Sequence, residues 1–183
     1  LIEQRLSTQS NDLELMLELA HLYQQSGDLS KAILIYEQAQ LIHGNLPQIL
    51  EAGAYAYMTL GKWDAAVEKL ELLLENYKDN PEYYNITLRA LGMASFNAEN
   101  YGRALSCYDK LSVIYREDPD IWLGMAQSAL GLDDAERAVY CAGKALRYKP
   151  GWPKAHAVLG GALYMKGSYQ QALTSFKKIT AND

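Results

Sequence analysis

Cysteine is scarce in this chain, two residues in 183, which is too few for a disulfide framework. Proline is sparse as well, at five, while 49% of residues are hydrophobic and 21% charged; that balance excludes a disordered or low-complexity protein. No uninterrupted apolar run approaches the roughly 18 residues needed to span a bilayer, so direct membrane insertion is not expected. Basic charge is in short supply too: 17 Lys and Arg against 22 Asp and Glu leave a net charge of −5. A nucleic-acid binder needs a basic face, and no nucleic-acid partner is expected. Phenylalanine occurs only twice, whereas tyrosine occurs 14 times.

The length fits about one domain. The chain opens Leu1-Ile2-Glu3 without an initiator Met, and no basic-then-apolar leader with a small-residue cleavage site follows. Either a leader has been removed or the sequence is a segment of a longer protein, and the compartment is left open.

What the chain does have is periodicity. Ala32, Ala66, Ala104, Ala138 and Ala172 stand 34, 38, 34 and 34 residues apart. Twelve positions before each lies a small residue: Ala20, Ala54, Gly92, Ala126 and Gly160. Four positions after each come Tyr36, Leu70, Tyr108, Ala142 and Phe176. Small residues at fixed places on two helices let the helices approach closely, and an aromatic fills the space that remains. Glycine after the first helix accepts the left-handed conformation that ends it; Gly27, Gly61 and Gly167 take that place, but Glu99 and Asp133 replace it in two repeats. Those two turns are expected to be shaped differently. Asn80-Pro81 and Asp118-Pro119 read as a capping residue followed by Pro in the first helical turn.

The period and its columns resemble the tetratricopeptide repeat, a 34-residue helix–turn–helix unit. The best match is Leu159-Gly160…Gly167…Tyr169…Ala172…Phe176, and the fourth repeat supplies Trp122…Ala126…Ala138…Ala145 with Pro150. The resemblance implies an all-α fold, a right-handed α-solenoid of tandem antiparallel helix pairs. It covers one solenoid domain over 13–183, as repeats 13–46, 47–80, 85–118, 119–152 and 153–183. The four extra residues Pro81-Glu82-Tyr83-Tyr84 amount to about one helical turn. The first helix of repeat three is therefore expected to begin at Pro81, with Tyr83 or Tyr84 at the edge of the groove; a longer loop is the alternative. Residues 1–12 read as the end of a preceding repeat or a capping helix, with Ile2 and Leu6 on its packing face.

Reactive constellations are not evident. His21, His43 and His156 share no metal-ligand spacing, and His156 occupies the column of Trp122, which suggests a packed structural role. No G-x-S-x-G, phosphate-loop or paired-cysteine motif occurs. Cys107 and Cys141 occupy one column of successive repeats, at a separation nearer to helix packing than to a disulfide, and are read as free, semi-buried thiols. Asn85-Ile86-Thr87 matches a glycosylation sequon inside an expected helix. Neither a cofactor nor an enzymatic activity is expected of these residues.

In the family the first helices line a concave groove that holds the ligand. The groove columns carried across are Glu14, Leu17, His21 and Gln24; Gln48, Glu51, Tyr55 and Met58; Ile86, Arg89, Met93 and Phe96; Asp120, Leu123, Gln127 and Leu130; and Lys154, Ala157, Gly161 and Tyr164. Leu17, Tyr55, Met58, Ile86, Met93, Phe96, Leu123, Leu130 and Tyr164 would then form a nearly continuous apolar stripe, the kind of patch that marks an interaction site. His21 and Gln127 lie along it, and Arg89 at its centre could pin a carboxylate or a backbone carbonyl. The alternative for Met58, Phe96 and Leu130 is packing against the neighbouring repeat. Co-chaperone members use a Lys/Asn/Arg clamp; here its places hold Leu17, His21, Ala52, Ile86 and Ala90, or in the best frame Arg89 and Lys154 with Met93, Gly124 and Val158. Neither set makes a clamp.

The expected function is a scaffold that binds a peptide segment of another protein, within a larger assembly, secretion or export complex. Two alternatives remain: a homo-oligomer formed through the solenoid ends, or a regulatory or targeting segment of a larger enzyme.

Overall fold

The computed structural model describes residues 11–180. Among them the chain forms ten helices and no strand: α1 Leu13–Gln25, α2 Leu29–His43, α3 Pro47–Thr59, α4 Trp63–Asn76, α5 Pro81–Asn97, α6 Tyr101–Ile114, α7 Pro119–Gly131, α8 Ala135–Tyr148, α9 Pro153–Met165 and α10 Tyr169–Thr180. The expected N-terminal cap, with Ile2 and Leu6, lies outside the described residues. The chain divides into two compact units, with the boundary inside α5 between Thr87 and Leu88.

The helices start and stop where side chains satisfy their end groups. Asp12, Asp28, Asn100 and Asp134 each cap a helix by accepting from the N–H three residues on. Asp118 does the same for Asp120 at 2.9 Å, with Pro119 in the first turn of α7. Within each helix pair the connecting turn repeats one hydrogen-bond pattern. The N–H groups of Asp28, Lys62, Asn100, Asp134 and Ser168 donate to carbonyls five residues back, those of Tyr23, Tyr57, Ser95, Ala129 and Leu163. The residue before each of these donates three back. This is the helix-terminating motif that needs a left-handed residue.

All five turns supply one. Gly27, Gly61 and Gly167 have φ of 84°, 70° and 75°, and Glu99 and Asp133 have φ of 59° and 60°. The expectation that the Glu99 and Asp133 turns would differ is corrected: the hydrogen bonds impose the same conformation whatever side chain occupies the place. An L side chain there costs roughly 1–2 kcal/mol. Asp133→Gly is therefore expected to stabilise the protein by about 0.5–1 kcal/mol, the gain being reduced by glycine's greater unfolded-state freedom. Urea unfolding is the check, and a neutral or destabilising result would show that the strain is relieved elsewhere.

Packing follows the small-residue columns. Ala32, Ala66, Ala104 and Ala138 are fully buried and Ala172 nearly so. In the N-terminal unit, α1 packs on α2, α2 on α3 and α3 on α4, around Ala20, Ala32, Ile33, Tyr36 and Ala56. Met16, Ala39 and Ile49 form a second cluster. In the C-terminal unit, each helix from α6 to α10 packs on the next, and α7 also touches α9. Ala129, Ala138 and Ala162 meet there, with Leu130 and Val139 against them.

Glycine also serves close approach, most fully around Tyr108. A Cβ on Gly124 would lie 2.6–2.8 Å from the Tyr108 ring, and one on Gly92 would lie 3.1 Å from it. Tyr108 thus seats its ring between α5 and α7. At the start of α5, residues 81–84 form an extra helical turn, and exposed Tyr83 stacks on Tyr77 with centroids 5.1 Å apart.

Candidate interaction surface

The columns expected to face a groove separate into two kinds. The first column, Glu14, Gln48, Ile86, Asp120 and Lys154, is exposed throughout. The third column is exposed at His21, Tyr55 and Met93 and half-buried at Gln127 and Gly161. These columns are seven residues apart, two helical turns, and so share a helix face. The second and fourth columns are mixed, with Glu51, Ala157 and Tyr164 exposed and others turned toward neighbouring helices. Leu17 is half-buried against the N-terminal core clusters, and Met58, Phe96 and Leu130 are half-buried as well.

Leu123 overturns its expectation. It is 5% exposed, because α7 touches α6, α8 and α9 together and buries more than half of its residues. A side chain enclosed in this way cannot line a binding surface. Among the expected groove residues, the large apolar groups that reach solvent are Tyr55 and Ile86 in the N-terminal unit, each 60% exposed, and Met93 and Tyr164 in the C-terminal unit, at 44% and 63%; Leu22, Tyr83 and Met165, outside those columns, are exposed on first helices as well.

Arg89 is also not the open anchor expected of it. Its guanidinium donates to Asp118 Oδ2 at 2.7 Å and lies over the Tyr115 ring at 5.7 Å from the centroid. Burial alone would raise the Asp118 pKa; the Arg89 hydrogen bond and charge, with the N–H groups of Asp120 and Ile121, outweigh it and hold the carboxyl below its ordinary value. Asp118 therefore both caps α7 and fixes Arg89 beside Met93's helix turn. The sequence shows Asp118 only as a cap; its partner lies 29 residues away.

Polar groups in the N-terminal unit are similarly committed. The Tyr77 hydroxyl donates to Glu51, and burial, then Glu51, push its pKa up to about 12. Lys69 pairs with Glu37 at 2.6 Å and donates to Gln40, while Tyr57 donates to Glu37 at 2.9 Å. His21 is exposed and shares a 2.8 Å hydrogen bond with Gln25. The Tyr36 hydroxyl donates to Gln24 at 3.0 Å, which fixes that side chain.

Among the described residues no group of three or more His, Cys, Asp or Glu could hold a metal ion. No described helix is long and apolar enough to cross a membrane. Cys107 and Cys141 form no disulfide and are both buried, deeper than the semi-buried state expected of them. On α10, Leu173 and Phe176 are 48% and 39% exposed, whereas Leu105 and Tyr108 in the same columns are 8% exposed.

Residues 123–183 and 15–44 each match a model of the tetratricopeptide repeat. The chain belongs to the tetratricopeptide-repeat family. Its fold is that of protein-interaction scaffolds. A "Protein STIP1 homolog" of Dictyostelium discoideum is 31% identical over 81 residues, 44% of this chain and 14% of the relative. "Small glutamine-rich tetratricopeptide repeat-containing protein 2" of Mycosarcoma maydis is 29% identical over 91 residues, 50% of this chain and 26% of the relative. The chain thus spans a small part of each relative's length.

Solved structures share the architecture at low identity. A MamA crystal structure matches at 20% identity and a TM-score of 0.77, over 91% of this chain and 89% of that one. MamA from Desulfovibrio magneticus RS-1 matches at 18% identity and 0.78, over 92% and 93%. YrrB, described as a tetratricopeptide-repeat protein with an unusual peptide-binding site, matches at 15% and 0.74, over 97% and 90%. At these identities the likeness is one of fold.

Proposed function

We propose that this tetratricopeptide-repeat chain is a non-enzymatic scaffold that binds a peptide segment of a partner protein on the exposed face of its first helices. The observation that carries the reading is the solvent exposure of Tyr55, Ile86, Met93 and Tyr164 on those helices. Tyr and Met are adaptable, partly apolar contact residues, and leaving them in water has a cost that a ligand removes. His21 and Gln127 supply polar contacts beside them. Arg89, held by Asp118, offers its remaining N–H groups rather than a free charge. Peptide binding as described for YrrB supports the ligand class. Membership of an assembly, secretion or export complex belongs to the same proposal.

The test is affinity capture from native extract with mass spectrometry, comparing wild type with Tyr55→Asp and Met93→Asp. Both side chains are exposed, so the variants are expected to keep wild-type helicity by circular dichroism while losing specific partners at least about tenfold. Partners retained by both variants would move the site elsewhere. A second reading, self-association, is favoured by exposed Leu173 and Phe176 on α10. Sedimentation velocity over rising concentration separates the two, and a constant monomer mass removes the second.

A further inference from the structure

Charge is divided unevenly along this chain. Residues 11–87 carry twelve carboxylates against four lysines and no arginine, whereas residues 88–180 carry eight carboxylates against twelve Lys and Arg. Within the N-terminal unit the first helices hold acids alone. On α1, α3 and residues 81–87 of α5 these are Glu14, Glu18, Glu51 and Glu82, all exposed, with no Lys or Arg beside them on those segments. Lys31, Lys69 and Lys78 pair with Asp28, Glu37 and Glu75, on the second helices or at their ends. Lys62 stands in the turn after α3.

One of these acids sits in a shaped aromatic setting. Tyr77, at the end of α4, uses both parts of its side chain: the hydroxyl donates to Glu51 on α3, and the ring stacks on Tyr83 at the start of α5. The centroids are 5.1 Å apart and the planes 26° from parallel, and Tyr83 is 48% exposed. A hydroxyl donor orients Glu51 without neutralising it, and a carboxylate has further acceptor sites to offer. Among the described residues no Lys or Arg is paired with Glu51 or Glu82. Exposed apolar groups flank the acids, Tyr55 one turn after Glu51 and Ile86 one turn after Glu82. The four-residue insertion 81–84 supplies Glu82 and Tyr83, so no other repeat has this arrangement.

We propose that the first-helix face of the N-terminal unit binds a basic peptide segment, with an arginine seated on Glu51 and the Tyr77–Tyr83 stack and an adjacent apolar side chain against Tyr55. A guanidinium donates to a carboxylate and lays its plane on an aromatic ring at the same time, and this site offers both partners. The surrounding carboxylates attract such a segment and repel an acidic one. The proposal rests on the peptide-scaffold reading above and adds the charge of the partner.

The probe is the blocked tripeptide acetyl-Leu-Arg-Leu-amide, titrated into the intact chain while the ring resonances of Tyr83 and Tyr55 are followed by NMR. The same tripeptide with Gln or Glu in place of Arg serves as comparison. Saturable movement of both rings is expected with the Arg peptide, and added salt should weaken it. An exposed ion pair and a cation–π contact are each worth about two- to fivefold, so the Gln peptide should bind about tenfold more weakly and the Glu peptide more weakly still. Glu51→Gln keeps an acceptor for the Tyr77 hydroxyl; it should retain wild-type helicity and weaken the Arg peptide about two- to fivefold while leaving the Gln peptide unchanged. Tyr83→Leu should cost a similar factor. Equal affinity for the Arg and Gln peptides, preference for the Glu peptide, or unchanged Arg-peptide affinity in Glu51→Gln overturns the proposal; if Tyr55 still moves, the scaffold reading stands without it. Rings unmoved by every peptide overturn it as well, and partner capture with Tyr55→Asp then decides the scaffold reading separately.

Discussion

Tyr108→Ala is expected to lower the unfolding free energy by about 3–5 kcal/mol, the range for truncating a buried aromatic. The ring is 8% exposed and sits where Gly92 and Gly124 leave no Cβ to fill the space. Truncation would open a void lined by two helix backbones that cannot move together without breaking their other contacts. Tyr108→Phe keeps the ring and should cost less than about 1.5 kcal/mol. The converse change, Gly124→Ala, places a methyl against a ring already backed by α5, so relaxation by ring movement is blocked. Urea unfolding followed by tryptophan fluorescence in a Trp63→Phe background, which leaves Trp122 and Trp152, reports on the same unit. A loss below about 1.5 kcal/mol for Tyr108→Ala would show that α5 and α7 close over the gap.

The second large effect is on thiol chemistry. Cys141 is 1% exposed, and burial pushes its pKa up to about 11 from an ordinary value of 9.0. Only the thiolate reacts with iodoacetamide. At pH 8 the pKa difference alone makes native labelling about 100-fold slower than labelling in denaturant, and lost access slows it further. The sign for stability follows from the same shift. A raised pKa means that the fold favours the neutral thiol, so this contribution is present below the ordinary cysteine value and is lost as pH rises toward about 11. Mass spectrometry of labelling in a Cys107→Ser background reads Cys141 alone. Equal native and denatured rates would contradict its burial.

Much of this architecture is legible in the linear chain, because repeat packing makes demands that recur at a fixed spacing. Ala32, Ala66, Ala104, Ala138 and Ala172 can be named as interior from their spacing alone, and they are buried. The helix starts at Asn80 and Asp118 follow from short side chains that accept backbone N–H groups ahead of a Pro in the first turn. These are local or periodic interactions, and a sequence displays both.

The candidate surface is less legible, for reasons visible at single residues. Leu123 shares its column with exposed Glu51 and Ala157, yet it is buried because α7 has neighbours on several sides. Column position says which way a side chain leaves its helix; it does not say how many helices stand there. Arg89 reads as a free cation until Asp118, 29 residues on, is brought to 2.7 Å. Glu99 and Asp133 read as departures from a glycine pattern, but the hydrogen bonds around them impose a left-handed backbone all the same.

What the sequence by itself determined is the helix-pair repeat, its register, its caps and its small-residue interior, since each is set by neighbours within one repeat length. Only the tertiary structure decided which first-helix residues stay in water, that Arg89 is already paired, and that Leu123 is enclosed. Those outcomes depend on side chains from separate helices converging on one volume, and no spacing along the chain encodes how much of that volume is filled.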